Sequence, residues 1–143
     1  MSTLNTAVTV AASALSAERT RIEVAISNLA NAESTRGSDG RPYRRRDVVL
    51  AAETIQSFDS ALGAASATGV KVVGIVEDTS PARRNYDPSH PDADAEGFVE
   101  MPNVDPATEM VDMVGASRAY QANLTAINLI RDLVSRSLEL GRS

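Results

Sequence analysis

The chain has 143 residues, 43% of them apolar but only 3% aromatic, with no Trp and no Cys. That length suits about one ordinary domain, and the shortage of large aromatic side chains argues against a thick, self-sufficient core. A net charge of −5 with Lys71 as the only lysine favours neither DNA nor an anionic membrane as partner, and the lack of cysteine removes disulfide and thiolate-metal chemistry.

Residues 1–17 carry no positive charge and no continuous apolar core, so a Sec-type signal peptide is not expected, and the mature chain is expected to begin at or near Met1. No apolar run reaches membrane length. Residues 1–35 read as an N-terminal assembly helix. From Leu4 to about Ala32 there is neither Gly nor Pro; Met1, Val8, Leu15, Ile22 and Leu29 recur every seventh position, and Leu4, Ala11, Ala25 and Ala32 follow three residues after four of them. The spacing predicts one long helix with a narrow apolar seam.

Residues 36–106 hold all six prolines and most of the glycines. Short β-rich runs at Val48–Ile55, Val70–Val76 and Gly97–Met101 predict a small, irregular β region with long loops. Residues 107–143 read as a C-terminal assembly helix, expected from Ala107 to Leu140 with Gly141 as its stop. Met110, Met113, Ser117, Tyr120, Leu124, Ile127, Arg131, Val134 and Leu138 follow alternating steps of three and four, and Leu129, Ile130, Leu133 and Leu140 add apolar surface beyond that seam. The fold class expected is mainly α with a small β region, the terminal helices pairing as an antiparallel, coiled-coil-like hairpin that forms one structural unit. Two arrangements could cover the seams: a closed monomer with the helices packed on the β region, or contact with further subunits.

Candidate chemistry is sparse. His90, the only histidine, sits in Asp87-Pro88-Ser89-His90-Pro91, where no triad or metalloprotease spacing surrounds it, so a turn histidine is expected. The acidic loop with Asp87, Asp92, Asp94 and Glu96 lacks the spacing and central glycine of a calcium loop. Arg44-Arg45-Arg46 beside a short strand reads as a solvated or salt-bridged surface, with a rim contact to an acidic neighbour as its use in an assembling protein. Neither G-x-G-x-x-G nor a P-loop occurs. No catalytic residue, cofactor or metal is expected.

Asparagines inside the helices are more informative. Asn28 and Asn31 lie three apart near the end of the first helix, and Gln121 and Asn123 add amides to the second. Asn31 reads as capping and termination, whereas Asn28 and Asn123 sit deeper, where a buried amide bond would set register between helices. The residues expected at an assembly interface are therefore Val8, Leu15, Ile22, Asn28, Leu29 and Asn31 on the first helix. On the second they are Met113, Tyr120, Gln121, Asn123, Leu124, Ile127, Val134 and Leu138.

At these residues the chain resembles a known family. Ser27-Asn28-Leu29-Ala30-Asn31-Ala32 is similar to the Asn-Leu-Ala-Asn signature of the rod and hook proteins of the bacterial flagellum. The run Gly97-Phe98-Val99-Glu100-Met101-Pro102-Asn103-Val104-Asp105, with Gly97 and Met101 through Asp105 as its distinctive positions, resembles the proximal-rod proteins among them. So do Asp39-Gly40-Arg41-Pro42-Tyr43-Arg44, Tyr86-Asp87-Pro88 and the stretch from Ala116 to Asn123. Ser27 stands where relatives often have Ala, and Glu33-Ser34-Thr35-Arg36-Gly37 replaces their commoner Thr-Pro-Gly-Tyr continuation. The resemblance implies a structural subunit of the periplasmic proximal rod, exported by the flagellar type III apparatus without a cleaved signal. It also implies helix packing that carries torque and lines an export channel. The partners it implies are further copies of the chain, the rod proteins FlgB and FlgF, and the adaptor FliE. A different type-III-secreted coiled-coil protein would share the helices without the Met101–Asp105 block, and a small hydrolase using His90 is the enzyme alternative.

Overall fold

The computed structural model describes residues 2–37, 40–55 and 67–141; Met1 of the expected seam and Asp39 of the resemblance lie outside them. The elements run α1 (Ser2–Ala30), β1 (Arg46–Ile55), β2 (Ala67–Glu77), β3 (Arg83–Tyr86), β4 (Phe98–Met101) and α2 (Pro106–Leu140). The chain is thus mainly helical with a small β region, as expected.

α1 forms where helix breakers are absent and alanine, the best helix former, is frequent. It ends at the predicted cap: the Asn31 carboxamide donates to the Ser27 carbonyl at 2.8 Å, and the Asn31 backbone N–H donates to the same oxygen at 3.2 Å. α2 starts on Asp105, whose carboxylate accepts from the Ala107 N–H at 3.2 Å and the Thr108 hydroxyl at 2.7 Å, with Pro106 at the first helical position, where a missing N–H costs nothing. The Gly141 N–H bonds the Ser137 carbonyl at its far end. Within the first unit described below, the start of α1 lies beside the last third of α2, and within the second its end lies beside the first turn of α2.

β1 and β2 form one two-stranded sheet, antiparallel because Arg46 pairs with Glu77 and Glu53 with Lys71. β3 and β4 form another, with Arg83 opposite Met101 and Tyr86 opposite Phe98. The sequence gives no sign of β3, because Arg-Arg-Asn-Tyr has no apolar alternation and all four residues are exposed. Backbone pairing to β4 alone makes it a strand.

The chain divides into two compact units. The first takes the described residues within 1–20, 49–74 and 115–143. Its buried side chains are the small ones, Ala11, Ala17 and Ala116. β2 passes so close to α1 that a Cβ on Gly69 would lie 2.8 Å from Ser13 Oγ, and that hydroxyl accepts from the Val70 N–H at 3.1 Å. The second unit takes residues 21–48 and 75–114. It buries Val24, Ala25, Ala32, Val99, Pro102 and Val104, so the core of this unit is built largely from the end of α1 and the Val99–Val104 run.

The expected seam of α1 is shifted. Ala11, Ala25 and Ala32 are buried as predicted, but Val8, Leu15, Ile22 and Leu29 are only half-buried, while Ala17, Val24 and Asn28 are fully buried instead. α1 turns its small and branched residues inward, which lets backbones approach closely, and leaves the longer leucines and isoleucine at the margin.

Candidate functional site

The most constrained cluster lies in the second unit and centres on Asn28, 1% exposed, and Glu109, 2% exposed. Asn28 Nδ2 donates to Glu109 Oε2 at 2.9 Å and to the Arg46 carbonyl at 2.8 Å; its Oδ1 accepts from the Arg46 N–H at 2.9 Å and from the Tyr43 hydroxyl at 2.9 Å. One carboxamide therefore ties α1, the start of β1, the loop before it and α2. Register between the two helices of this chain is fixed here, within the second unit. Asn123 does not act that way: its Nδ2 bonds the Ala119 carbonyl of its own helix at 2.9 Å, because a half-buried amide can satisfy itself one turn back.

Glu109 occupies its buried position because Arg45 meets it. Arg45 Nε donates to Glu109 Oε1 at 2.5 Å, Asp47 takes a second guanidinium nitrogen, and Asp112 lies 3.6 Å from a third. Burial lowers the basicity of this guanidinium, but the hydrogen bond and charge of Glu109, with Asp47, outweigh it and hold the pKa above its ordinary value. The backbone N–H of Arg45 bonds Asn103 Oδ1 at 2.9 Å, and Asn103 Nδ2 reaches the carbonyls of Asp78 and Ser80. Among the described residues every buried side-chain nitrogen and oxygen has a partner. A fully satisfied network of this kind rigidifies and specifies one packing.

The middle arginine of the triplet is thus half-buried against Glu109, Arg46 pairs with Glu77 and stacks 5.5 Å above the Tyr43 ring, and Arg44 is exposed. Sequence reasoning missed Glu109, Arg45 and Tyr43 as a unit. One signal was available: counting back along the half-buried α2 stripe from Tyr120 through Ala116 and Met113 lands on position 109, and a carboxylate on a core-facing stripe demands a buried cation.

The motif run is structural throughout. Gly97 has φ +82°, and a Cβ there would meet Tyr86 Cε2 at 3.0 Å and Pro88 Cβ at 3.2 Å. Pro102 and Val104 are buried, Met101 is half-buried, and the Pro102 carbonyl accepts from Arg83 Nε at 3.0 Å. His90 lies in a turn closed by its N–H on the Asp87 carbonyl, and its Nδ1 accepts from the Asp92 N–H. The acidic loop folds on itself: Asp87 accepts from Ser89, and Asp94 accepts from the N–H groups of Glu96 and Phe98. Among the described residues no group of three His, Cys, Asp or Glu side chains is arranged to hold a metal, and no helix is long and apolar enough to cross a membrane.

In the first unit the expected interface residues meet differently. Val8 shares an open apolar groove of about 420 Å³ with Leu4, Ile127, Ile130 and Val134. Leu15, Tyr120 and Asn123 are half-buried; Gln121 is exposed, as are Leu124, Leu129, Leu133, Leu138 and Leu140, the last at 78%. In the second unit Ile22, Leu29, Asn31 and Met113 are half-buried, and Asn28 is interior.

Comparison with known proteins decides the family. Residues 9–37 match the family described as flagella basal body rod protein, and residues 95–140 match the flagellar basal body rod FlgEFG protein C-terminal family. The flagellar basal-body rod protein FlgC of Salmonella typhimurium is 45% identical over 133 residues, covering 93% of this chain and 94% of that protein. FlgC of Bacillus subtilis is 46% identical with 93% and 95% covered, and FlgC of Borreliella burgdorferi is 38% identical with 96% and 97% covered. The chain belongs to the FlgC family of flagellar basal-body rod proteins. Membership makes it a structural component of the flagellar basal body, assembling with other rod proteins. The two matched segments of the rod families carry Asn28 and Glu109, the partners at the centre of the node.

Proposed function

We propose that this FlgC-family chain is a subunit of the proximal rod in the periplasm, where its helices pack against those of neighbouring subunits to carry torque and line the export channel. Its neighbours in this reading are copies of itself and the rod proteins FlgB and FlgF, with the adaptor FliE beneath. It reaches its place through the flagellar type III apparatus without signal cleavage. It performs no catalysis. Residues 1–35 and 107–143 act as the assembly helices and residues 36–106 as the outer region.

The observation that supports this reading most is the apolar surface of α2. Leu129, Leu133, Leu138 and Leu140 are each at least half exposed, beside the groove of Leu4, Val8, Ile127, Ile130 and Val134. A contiguous apolar face of that kind marks an interaction surface rather than a solvated one. Close-packed helices resist compression, which is the property a torque-bearing shaft needs.

The test is to replace Leu15 or Ile127 with Asp in the motile organism. Export into the medium is expected to continue while rod assembly and swimming are lost; normal swimming would refute the helix-interface role. Mass spectrometry of purified basal bodies checks the location, and absence of the chain from the proximal rod would refute the assignment.

A further inference from the structure

The turn at His90 takes no part in the buried node, yet its hydrogen bonds converge on one residue. Pro91 stands at the second position of a turn closed by the Ala93 N–H on the His90 carbonyl at 3.1 Å, a place that its fixed φ suits. Inside that turn the imidazole does what an Asn or Asp side chain commonly does, accepting the N–H two residues on: the Asp92 N–H meets His90 Nδ1 at 3.1 Å. Nδ1 accepts only while it carries no proton, so the turn holds the neutral ring with its proton on Nε2.

The Asp92 carboxylate carries the arrangement across the unit. Its Oδ2 accepts from the Thr35 hydroxyl at 2.8 Å, and its Oδ1 lies 3.1 Å from an Arg36 guanidinium nitrogen. Thr35 and Arg36 belong to the loop after α1, where the Ser34 hydroxyl bonds the carboxamide oxygen of Asn31, the helix cap, at 3.3 Å. All of these residues lie in the second unit. One ring nitrogen thus fixes the backbone of the residue that holds the loop after α1.

We propose that the His90 turn is a pH-operated latch on that loop, closed while the imidazole is neutral and released when it is protonated. A proton on Nδ1 turns an acceptor into a donor facing the Asp92 N–H, so the bond is lost and the turn around Asp92 opens. The charged groups around the ring are Asp87 and Asp92 on its own turn and, from the loop after α1, Arg36, which Asp92 engages. Asp87 supplies the alternative partner. Its carboxylate already accepts from the Ser89 hydroxyl at 2.7 Å and the Ser89 N–H at 3.1 Å, and its charge favours the imidazolium once the Asp92 N–H is released. Histidine ordinarily changes charge between about pH 5 and 8, so the latch works across the physiological range. It belongs to the second unit and does not depend on the rod reading.

The test is a titration of the isotope-labelled full chain by NMR from about pH 8 to about pH 5. With one histidine in the chain, the ring signals need no assignment. At the alkaline end the Nε2–H tautomer is expected, with the Asp92 amide protected from exchange. On acidification the Asp92 and Thr35 amide signals are expected to move with the ring. Protection of the Asp92 amide, relative to an unstructured peptide, should fall about fivefold, the worth of one neutral hydrogen bond. Both movements are local, read at individual amides and not in the stability of the whole chain. His90→Asn keeps an oxygen that accepts the same N–H but cannot titrate, so both amides should hold their closed positions across the range. His90→Ala removes the acceptor, and its Asp92 amide should be unprotected at both ends. An Nδ1–H tautomer at the alkaline end overturns the proposal, as does an Asp92 amide that ignores the ring. Movement of the Asp92 amide without that of Thr35 overturns the latch on the loop. A His90→Asn chain that keeps the native pH dependence overturns the role of the imidazole. Circular dichroism checks that each variant folds, and if one does not, the native titration decides alone.

Discussion

The two units hold their helices by opposite means. In the second, buried Asn28 and Glu109 are joined by half-buried Arg45 and Asn103 in one hydrogen-bonded network, with the apolar core of Val99 and Val104 in the same unit. Among the described residues of the first, the buried side chains are alanines, and the leucines of α2 from Leu124 to Leu140 are exposed. The contrast teaches that a chain can separate the part that secures its own fold from the part left to be covered by others. Polar networks suit the former because each unmade bond is costly, and apolar surface suits the latter because it is tolerant of many partners.

Breaking the network should have the largest effect on the free chain. Glu109→Ala leaves the Arg45 guanidinium and an Asn28 N–H without their partner, and is expected to cost about 3 kcal/mol, read as a shift of the urea midpoint. A loss below about 1 kcal/mol would show that water substitutes for the carboxylate and that the node is not structural. Asn28→Ala comes next, at about 2 kcal/mol, since the Arg46 N–H, the Arg46 carbonyl and the Tyr43 hydroxyl all lose a bond.

The first unit should respond in the other sense. Ile127→Asp is half-buried at an open groove, so the free chain should lose only about 1 kcal/mol although assembly is abolished. If the isolated variant unfolds outright, the groove is part of the monomer's own core and the contrast between units fails. Hydrogen exchange sharpens the same point without mutation. Amides of residues 21–30 in a dilute monomer should be better protected than those of residues 8–20 on the same helix, and uniform protection along α1 would contradict it.

Acid should have the smallest effect. The Thr108 hydroxyl, followed by the Ala107 N–H, holds the Asp105 carboxyl below its usual range, and the N–H groups of Phe98 and Glu96 do the same for Asp94. A carboxyl whose folded pKa is depressed contributes stability that is present above its unfolded value, about 4, and is lost as pH falls through the folded one. The urea midpoint is therefore expected to be level near neutrality and to decline below about pH 4. Asp105→Asn, which keeps a capping oxygen but cannot titrate, should flatten that decline.

Legibility followed the range of the interactions. Both helices were readable because their hydrogen bonds close within one turn and the chain excludes Pro and Gly from the first throughout and Pro from the interior of the second; the Asn31 cap was readable for the same reason. The seam of α1 was readable only in part, since a seven-residue repeat says which residues share a face but not which member of the face is nearest the neighbour. The amide at Asn28 was marked by its unusual place in a helix. Its partner was not, because Glu109 lies 81 residues away and its cation, Arg45, a further long step of 64 residues from Glu109.

By itself, then, the sequence determined the two terminal helices, the three strands with apolar content, the turn at His90 and the family, all of them written in local spacing or contiguous motifs. Only the tertiary structure decided that Glu109 is interior, that Asn123 serves its own helix and that Arg-Arg-Asn-Tyr is a strand. Each of those depends on which distant backbone or charge arrives beside it, and desolvation acts on the group only once that neighbour is in place.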